Sequence, residues 1–252
     1  PPMINSVRNT VLGILNKNNY GYISPQDFNL YAKQAQLELF DEYFSDYNTA
    51  INNENMRKSG TEYANMTKQM LEVIDYFSVT RNLPHNVDSQ FYLPSTQQGV
   101  NSTGDDFYLL NKVLCYDTST TPRTFTGEAE AITHSKITLL NNSLLTAPDS
   151  TYPAYTLEGA FLTVYPATFN ILTAVEAQYI RYPFAPKWTF TNVTGGEPVF
   201  DSSQADYQDF ELSIDDEYIL VNKILQMAGM EIREADVVSY ATTKETLDQQ
   251  QQ

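Results

Sequence analysis

The residues of this chain best suited to chemistry are few: two histidines, His85 and His134, and one cysteine, Cys115, set among 31 acids. A nucleophile needs a base beside it, and histidine is the usual one. His134 precedes Ser135 in the run AITHSKI. Neighbours on a strand point to opposite faces, so the pair reads as a surface or contact histidine rather than a dyad. His85 follows a proline in a loop, and Cys115 lies in the apolar run FYLLNKVLCY, where an inert buried thiol is expected.

Metal and nucleotide chemistry find little more. Two histidines and a cysteine far apart in sequence give no zinc spacing. Asp105 with Asp106, and the string Asp201, Asp206, Asp209 and Glu211, could offer oxygens to calcium, but the string lacks the alternate-position ligands and turn glycine of a calcium loop. A glycosidase asks for two carboxylates across a cleft, which 31 acids always permit. Neither GxGxxG nor GxxxxGK[ST] occurs, and Gly195–Gly196 reads as a turn. The expectation is a chain that is not an enzyme, with no catalytic residue, cofactor or metal.

One cluster invites binding rather than catalysis. In YIRYPFAPKW (179–188) the single tryptophan meets two bases and two tyrosines. It reads either as an aromatic and cationic platform for a sugar or base, or as a proline-stiffened arm. In the second reading Arg181, Tyr182 and Trp188 are subunit-interface anchors, since Trp, Tyr and Arg dominate interface energetics. The second is preferred.

The elements that must position these residues follow from periodicity. Ile4, Val7, Val11 and Ile14 form a helical stripe, and Asn18, Asn19 and Gly21 break it. Ser24, Pro25 and Asp27 start a second helix carrying Phe28, Tyr31, Ala35, Leu39, Tyr43 and Tyr47. The spacing predicts helices over roughly 4–16, 25–50 and 60–77, the third with Tyr63, Met66, Met70, Ile74 and Phe77, and Asn52, Asn53, Asn55 and Gly60 marking the connection before it. Short segments at 107–116, 135–140, 160–165 and 177–182 read as strands between proline-rich loops. A last helix places Tyr218, Val221, Leu225, Ala228 and Ile232 on one face, with Gly229 as a flaw. The reading is an α+β fold. Residues 1–78 and a closing helix in 206–238 form a bundle, 79–205 are an inserted β-rich, loop-rich subdomain, and 239–252 are a polar tail.

Charge narrows the partners. The chain carries 15 basic and 31 acidic residues, net −16, and residues 197–252 hold 3 basic against 13 acidic, which is −10 of that total. Clustered Lys and Arg, which phosphate binding needs, are missing. An acidic wall could still surround DNA without gripping it. No basic, apolar leader and no apolar run near 18 residues occurs, so neither secretion nor membrane spanning is expected. The 18 tyrosines and 13 phenylalanines suit interfaces.

Long stretches carry a resemblance. MINSVRNTVLGILNKNNYGYISPQDFNLYAKQAQLELFDEYF (3–44), HSKITLLNNSLLTAP (134–148), YIRYPFAPKW, DYQDFELS and EIREADVV (within 206–238) resemble a structural protein recurrent in crAss-like bacteriophages. That family is similar to the ring, or head-to-tail adaptor, proteins stacked beneath the portal of short-tailed phages. The resemblance implies a dodecameric ring around the DNA exit channel, with the portal and further tail rings as partners. It also implies a place in the virion at the portal–tail junction, after assembly in the host bacterial cytoplasm. DNA would pass without sequence-specific binding, and Asp206, Asp209, Asp215, Asp216 and Glu217 are candidate channel-facing acids. The alternative is a tail-proximal protein that docks fibres or host glycan through its tyrosine-rich β region.

Overall fold

A computed structural model of the chain describes residues 2–17, 22–57, 71–97, 99–192, 196 and 198–232. Asn18, Asn19, Gly21, Gly60, Tyr63, Met66, Met70, Gly195 and the tail 239–252 lie outside them. The fold is α+β, with helices towards both ends and a β-rich middle. Contacts divide it into two compact units, Pro1–Tyr63 with Pro183–Gln252, and Ala64–Tyr182.

The first unit is built on α1 (Met3–Lys17), α2 (Pro25–Arg57) and a late helix. On α1 the stripe Ile4, Val7, Val11 is fully buried, and Leu15 rather than Ile14 completes it. Ser24 caps α2 as its sequence predicts: the Asp27 N–H donates to Ser24 Oγ at 3.1 Å, and the Phe28 N–H to the Ser24 carbonyl at 2.9 Å. The helix continues through Asn52, Asn53 and Asn55 to Arg57, although these asparagines were expected to mark its end. Thirty-three residues make it about 50 Å long at 1.5 Å per residue. Phe28, Ala32, Ala35 and Leu39 join the α1 stripe in one apolar core.

That core is closed by the late helix, Glu217–Ile232, which supplies Leu220, Val221, Ile224, Leu225 and Ala228. Tyr218, expected on the same face, is half exposed instead. The helix runs unbroken through the buried Gly229. A short hairpin, β8 (Phe190–Asn192) with β9 (Pro198–Phe200), belongs to this unit. Residues 183–205 therefore depart from the expected β insertion, because Trp188, Phe190 and Phe200 pack into the helical core.

The second unit is a seven-stranded mixed sheet in the order β1-β7-β3-β4-β5-β6-β2. The strands are β1 (Ser78–Asn82), β2 (Gln90–Tyr92), β3 (Phe107–Asp117), β4 (Thr124–Ala131), β5 (Ala154–Glu158), β6 (Phe161–Tyr165) and β7 (Val175–Arg181). Only β4 and β5 pair parallel; the other pairs are antiparallel. The sheet curls strongly, as two neighbouring residues require. Leu83 N–H donates to Val175 of β7 at 3.0 Å, while the next residue, Pro84, accepts from Tyr92 of β2 at 2.9 Å. These strands stand towards opposite ends of the order, and two residues span at most about 7 Å. The interior holds alternate residues: Val113 and Cys115, Leu162 and Val164, and Val175, Ala177 and Tyr179.

Residues 71–76 are helical and belong to this unit, with Ile74 and Phe77 buried, rather than to the N-terminal bundle as expected. The segment expected as a strand at 135–140 is instead a helix, α3 (His134–Asn141). Thr133 caps it by accepting from the Lys136 N–H at 3.4 Å, and Ile137 alone is buried on it. A capped turn with one inward residue satisfies its backbone locally and needs no strand partner. Numbered in chain order, the closing helix Glu217–Ile232 is α4.

Candidate functional site

Trp188 sits at the centre of the first unit and is 1% exposed. Its indole N–H donates to Asn5 Oδ1 at 3.1 Å, and the Arg8 guanidinium carbon lies 3.8 Å from the ring centroid. Phe190 and Phe200 stack on it at centroid distances of 5.5 and 5.9 Å. Gln36 on α2 ties the same segment down, donating to the Phe184 carbonyl at 2.8 Å and accepting from the Glu211 N–H at 2.9 Å. Trp188 is thus a core residue of its own chain and presents nothing to a neighbour. Arg181 is likewise buried in the second unit, its Nη1 donating to the Tyr182 carbonyl at 3.1 Å and its guanidinium 5.6 Å from the Phe77 ring. Of the three expected anchors Tyr182 alone reaches the surface, edge-on to Tyr108 at 5.2 Å.

The five acids also divide. Asp209 accepts from the Met3 and Ile4 N–H groups at 3.0 and 2.8 Å, which caps α1 with a carboxylate at its positive end. Asp216 is 7% exposed and accepts from the Tyr43 hydroxyl at 2.5 Å; burial raises its pKa above the usual carboxylate range. These two are structural members of the unit, because folding has already turned them inward. Asp206 is exposed and paired with Lys187, whose hydrogen bond lowers its pKa. Asp215 is exposed and Glu217 partly so.

The nucleophile and metal candidates do not converge. His134 Nε2 lies 3.2 Å from the Leu157 carbonyl oxygen, and Ser135 bonds with Thr133 instead. His85 Nε2 lies 2.7 Å from the Asp88 carbonyl oxygen. Burial pushes the Cys115 thiol up to about 12, which keeps it protonated and unreactive. Buried Asp105 accepts from Arg81 at 3.1 Å and from the Tyr179 hydroxyl, whereas Asp106 accepts from Thr96 at 2.8 and 2.9 Å. Asp201, which accepts from Ser203 Oγ at 2.6 Å, Ser203 N–H at 3.0 Å and Thr191 Oγ1 at 2.9 Å, titrates at about 2. Among the described residues no group of three or more His, Cys, Asp or Glu side chains is placed to hold a metal ion. No described helix is long and apolar enough to cross a membrane.

What remains is surface, and sequence reasoning missed its most telling part. After α3 the chain makes a tight turn in which the Ser143 carbonyl accepts from the Thr146 and Ala147 N–H groups at 3.2 and 2.9 Å. Thr146 Oγ1 also donates to the Leu140 carbonyl at 3.1 Å. This turn holds Leu144 and Leu145 out at 103% and 97% exposure, with Leu139 also exposed beside them. The signal was present in LLNNSLL, two leucine pairs around turn residues, of which the strand expected at 135–140 took in only the first. Comparison with known proteins gives no match to any family model and none to a curated protein.

Proposed function

We propose that this chain is a structural virion protein of a tailed bacteriophage, one subunit of a ring that joins the portal to the tail and surrounds the DNA exit channel. The carrying observation is the Leu144–Leu145 turn, an apolar projection presented to water by a hydrogen-bonded turn. An isolated chain gains nothing from exposing two adjacent leucines so fully, whereas a subunit recovers that surface on docking. The resemblance of long sequence stretches to ring proteins of crAss-like phages supports the same reading. So does the net charge of −16, which suits a wall past which DNA slides.

The role is structural rather than catalytic, with portal and neighbouring tail rings as partners and the portal–tail junction as location. Exposed Asp206 and Asp215 and partly exposed Glu217 remain candidates for the channel wall. The tyrosines of the sheet give less support to a glycan platform, since Tyr155 and Tyr179 are buried and Tyr116 is covered by Arg123 at 4.1 Å. Electron microscopy of the purified protein mixed with portal tests the proposal. Rings seated on the portal are expected; glycan or fibre binding by single subunits, with no ring on any portal, would overturn it.

A further inference from the structure

The chain enters α4 through a single 3-10 turn, Ile214–Asp216, whose Ser213 cap accepts from the Asp215 N–H at 3.4 Å. Inside the turn the Asp216 N–H donates to the Ser213 carbonyl at 3.0 Å. Among the described residues one hydrogen bond ties this turn to α2, that from the Tyr43 hydroxyl to Asp216 Oδ1 at 2.5 Å. The other carboxyl oxygen, Oδ2, is buried and has no hydrogen-bond partner among the described residues. Asp216 thus fastens the turn through one oxygen and leaves the other bare.

An ionised carboxylate is poorly served in this position. A buried polar atom without a partner is costly, and more so when it is charged. The surroundings are acidic as well. Asp215, Glu217 and Tyr218 come from its own turn and from α4, and α2 brings Tyr43 with Glu42 beside it. Lys223, further along α4, is engaged by Glu38 and Glu42. α1 contributes Thr10 and Ile14, neither of which titrates, to an open groove of about 400 Å³ that it shares with Ile214 and Asp215 of the turn and with Glu217 and Tyr218 of α4. Burial, and to a smaller degree the Asp215 charge, raise the Asp216 pKa above 3.8, and the hydrogen bonds of Tyr43 and Ser213 offset this only in part.

We infer that Asp216 is a proton-operated clasp: neutral, it holds the Ile214–Asp216 turn against α2, and ionised, it lets the turn open and the groove lose that wall. The sign follows from linkage. A carboxyl whose pKa is raised in the closed turn binds its proton more tightly there than in the open turn, where water restores the ordinary value. The closed turn therefore has its full advantage below 3.8 and loses it as pH climbs through the raised value. Opening carries Asp216 to water beside Asp215 and Glu217, and so adds a charge to the acidic wall of the groove.

Hydrogen exchange in the full-length protein tests it, read in peptides spanning 213–218 and corrected for the intrinsic rate. Between about pH 4.5 and about pH 7.5 their opening equilibrium should rise by up to about tenfold per pH unit until Asp216 is ionised, and then level off. Asp216→Asn keeps an oxygen for Tyr43 and carries no charge, so its protection should stay flat at the wild-type acid level. Tyr43→Phe removes a donor that favours the carboxylate and should carry the loss of protection on to higher pH. Wild-type protection that does not change with pH would overturn the inference, as would an equal slope in Asp216→Asn. Carboxyl carbon NMR of the wild type decides the matter however the variants fold: Asp216 should titrate above 3.8, and a midpoint at or below 3.8 discards the clasp. None of these measurements involves ring formation, so the ring reading stands or falls separately.

Discussion

The side chain of Asn29 brackets the backbone of Trp188. Its Oδ1 accepts from the Trp188 N–H at 2.8 Å, and its Nδ2 donates to the Trp188 carbonyl at 3.1 Å, across 159 residues of sequence. A primary amide has the same donor and acceptor as a peptide unit, so α2 pairs with an extended segment much as a neighbouring strand would. Asn29→Ala strands both groups beside a buried tryptophan, and should lower stability by about 2–6 kcal/mol at about 1–3 kcal/mol per orphaned group. The emission of Trp188, the sole tryptophan, reports on this unit during urea denaturation. A midpoint unmoved by the substitution would mean that water replaces the amide at no cost.

Lys223 on α4 is almost wholly buried, with Glu42 at 2.8 Å and Glu38 at 3.6 Å, whereas both glutamate side chains are about half exposed. The two ends of this pairing are therefore unequal. Lys223→Met leaves two carboxylates that water can reach, and should change stability by less than about 1.5 kcal/mol. Glu38→Gln with Glu42→Gln removes both negative charges from a desolvated ammonium and should cost about 3–5 kcal/mol. Equal losses from the two variants, read by chemical denaturation, would contradict the asymmetry.

Alkaline pH should destabilise the second unit through Cys115. Its thiol titrates at about 12 when folded against 9.0 when free. Below pH 9 the group is protonated in both states and its contribution is fully present. As pH rises from 9 towards 12 the unfolded thiol ionises while the folded one cannot, and stability is lost at up to about 1.4 kcal/mol per pH unit. Cys115→Ala should flatten the fall of the thermal midpoint between pH 8.5 and 10.5. An unchanged slope would assign that fall to other groups.

Gly127 on β4 faces Cys115 across the ladder. A Cβ there would stand 2.6 Å from the Thr151 carbonyl oxygen and 3.1 Å from Pro153 Cδ. Since the nearer obstacle is backbone, Gly127→Ala must displace the 151–153 segment that leads into β5, and should cost about 1–3 kcal/mol as overpacking. Gly13→Ala, where nothing lies within 4 Å of the added carbon, should instead be neutral or stabilising in α1. Thermal melts of the two variants should move in opposite directions or only the first should move.

Much of the fold was legible because helices and strands announce themselves by period. The helices α1 and α2, the Ser24 cap and the strands β3, β6 and β7 fall where the pattern put them, although Leu15 replaces Ile14 in the buried stripe of α1 and α2 runs on to Arg57. Misreadings arose where a local pattern had two solutions. ITLL fits a strand and a helix equally, and the Thr133 cap decides for α3. The candidate site was less legible still. YIRYPFAPKW offers the same residues to a partner or to its own core, and Asp206, Asp209, Asp215 and Asp216 look alike in sequence.

By itself the sequence determined the α+β class, the helix starts, the acidic balance and the poverty of nucleophiles and bases, since each depends on composition or on neighbours within a few residues. Tertiary structure alone decided direction: that Trp188 and Arg181 turn inward, that Asp209 caps a helix 206 positions earlier, that the sheet curls until Leu83 and Pro84 bond to β7 and β2, strands towards opposite sides of its order, and that Leu144 and Leu145 face water. The physical reason is range. Periodicity is carried by side chains three or four positions apart, whereas burial and the partner of a buried polar group are settled by whatever distant segment folding brings alongside.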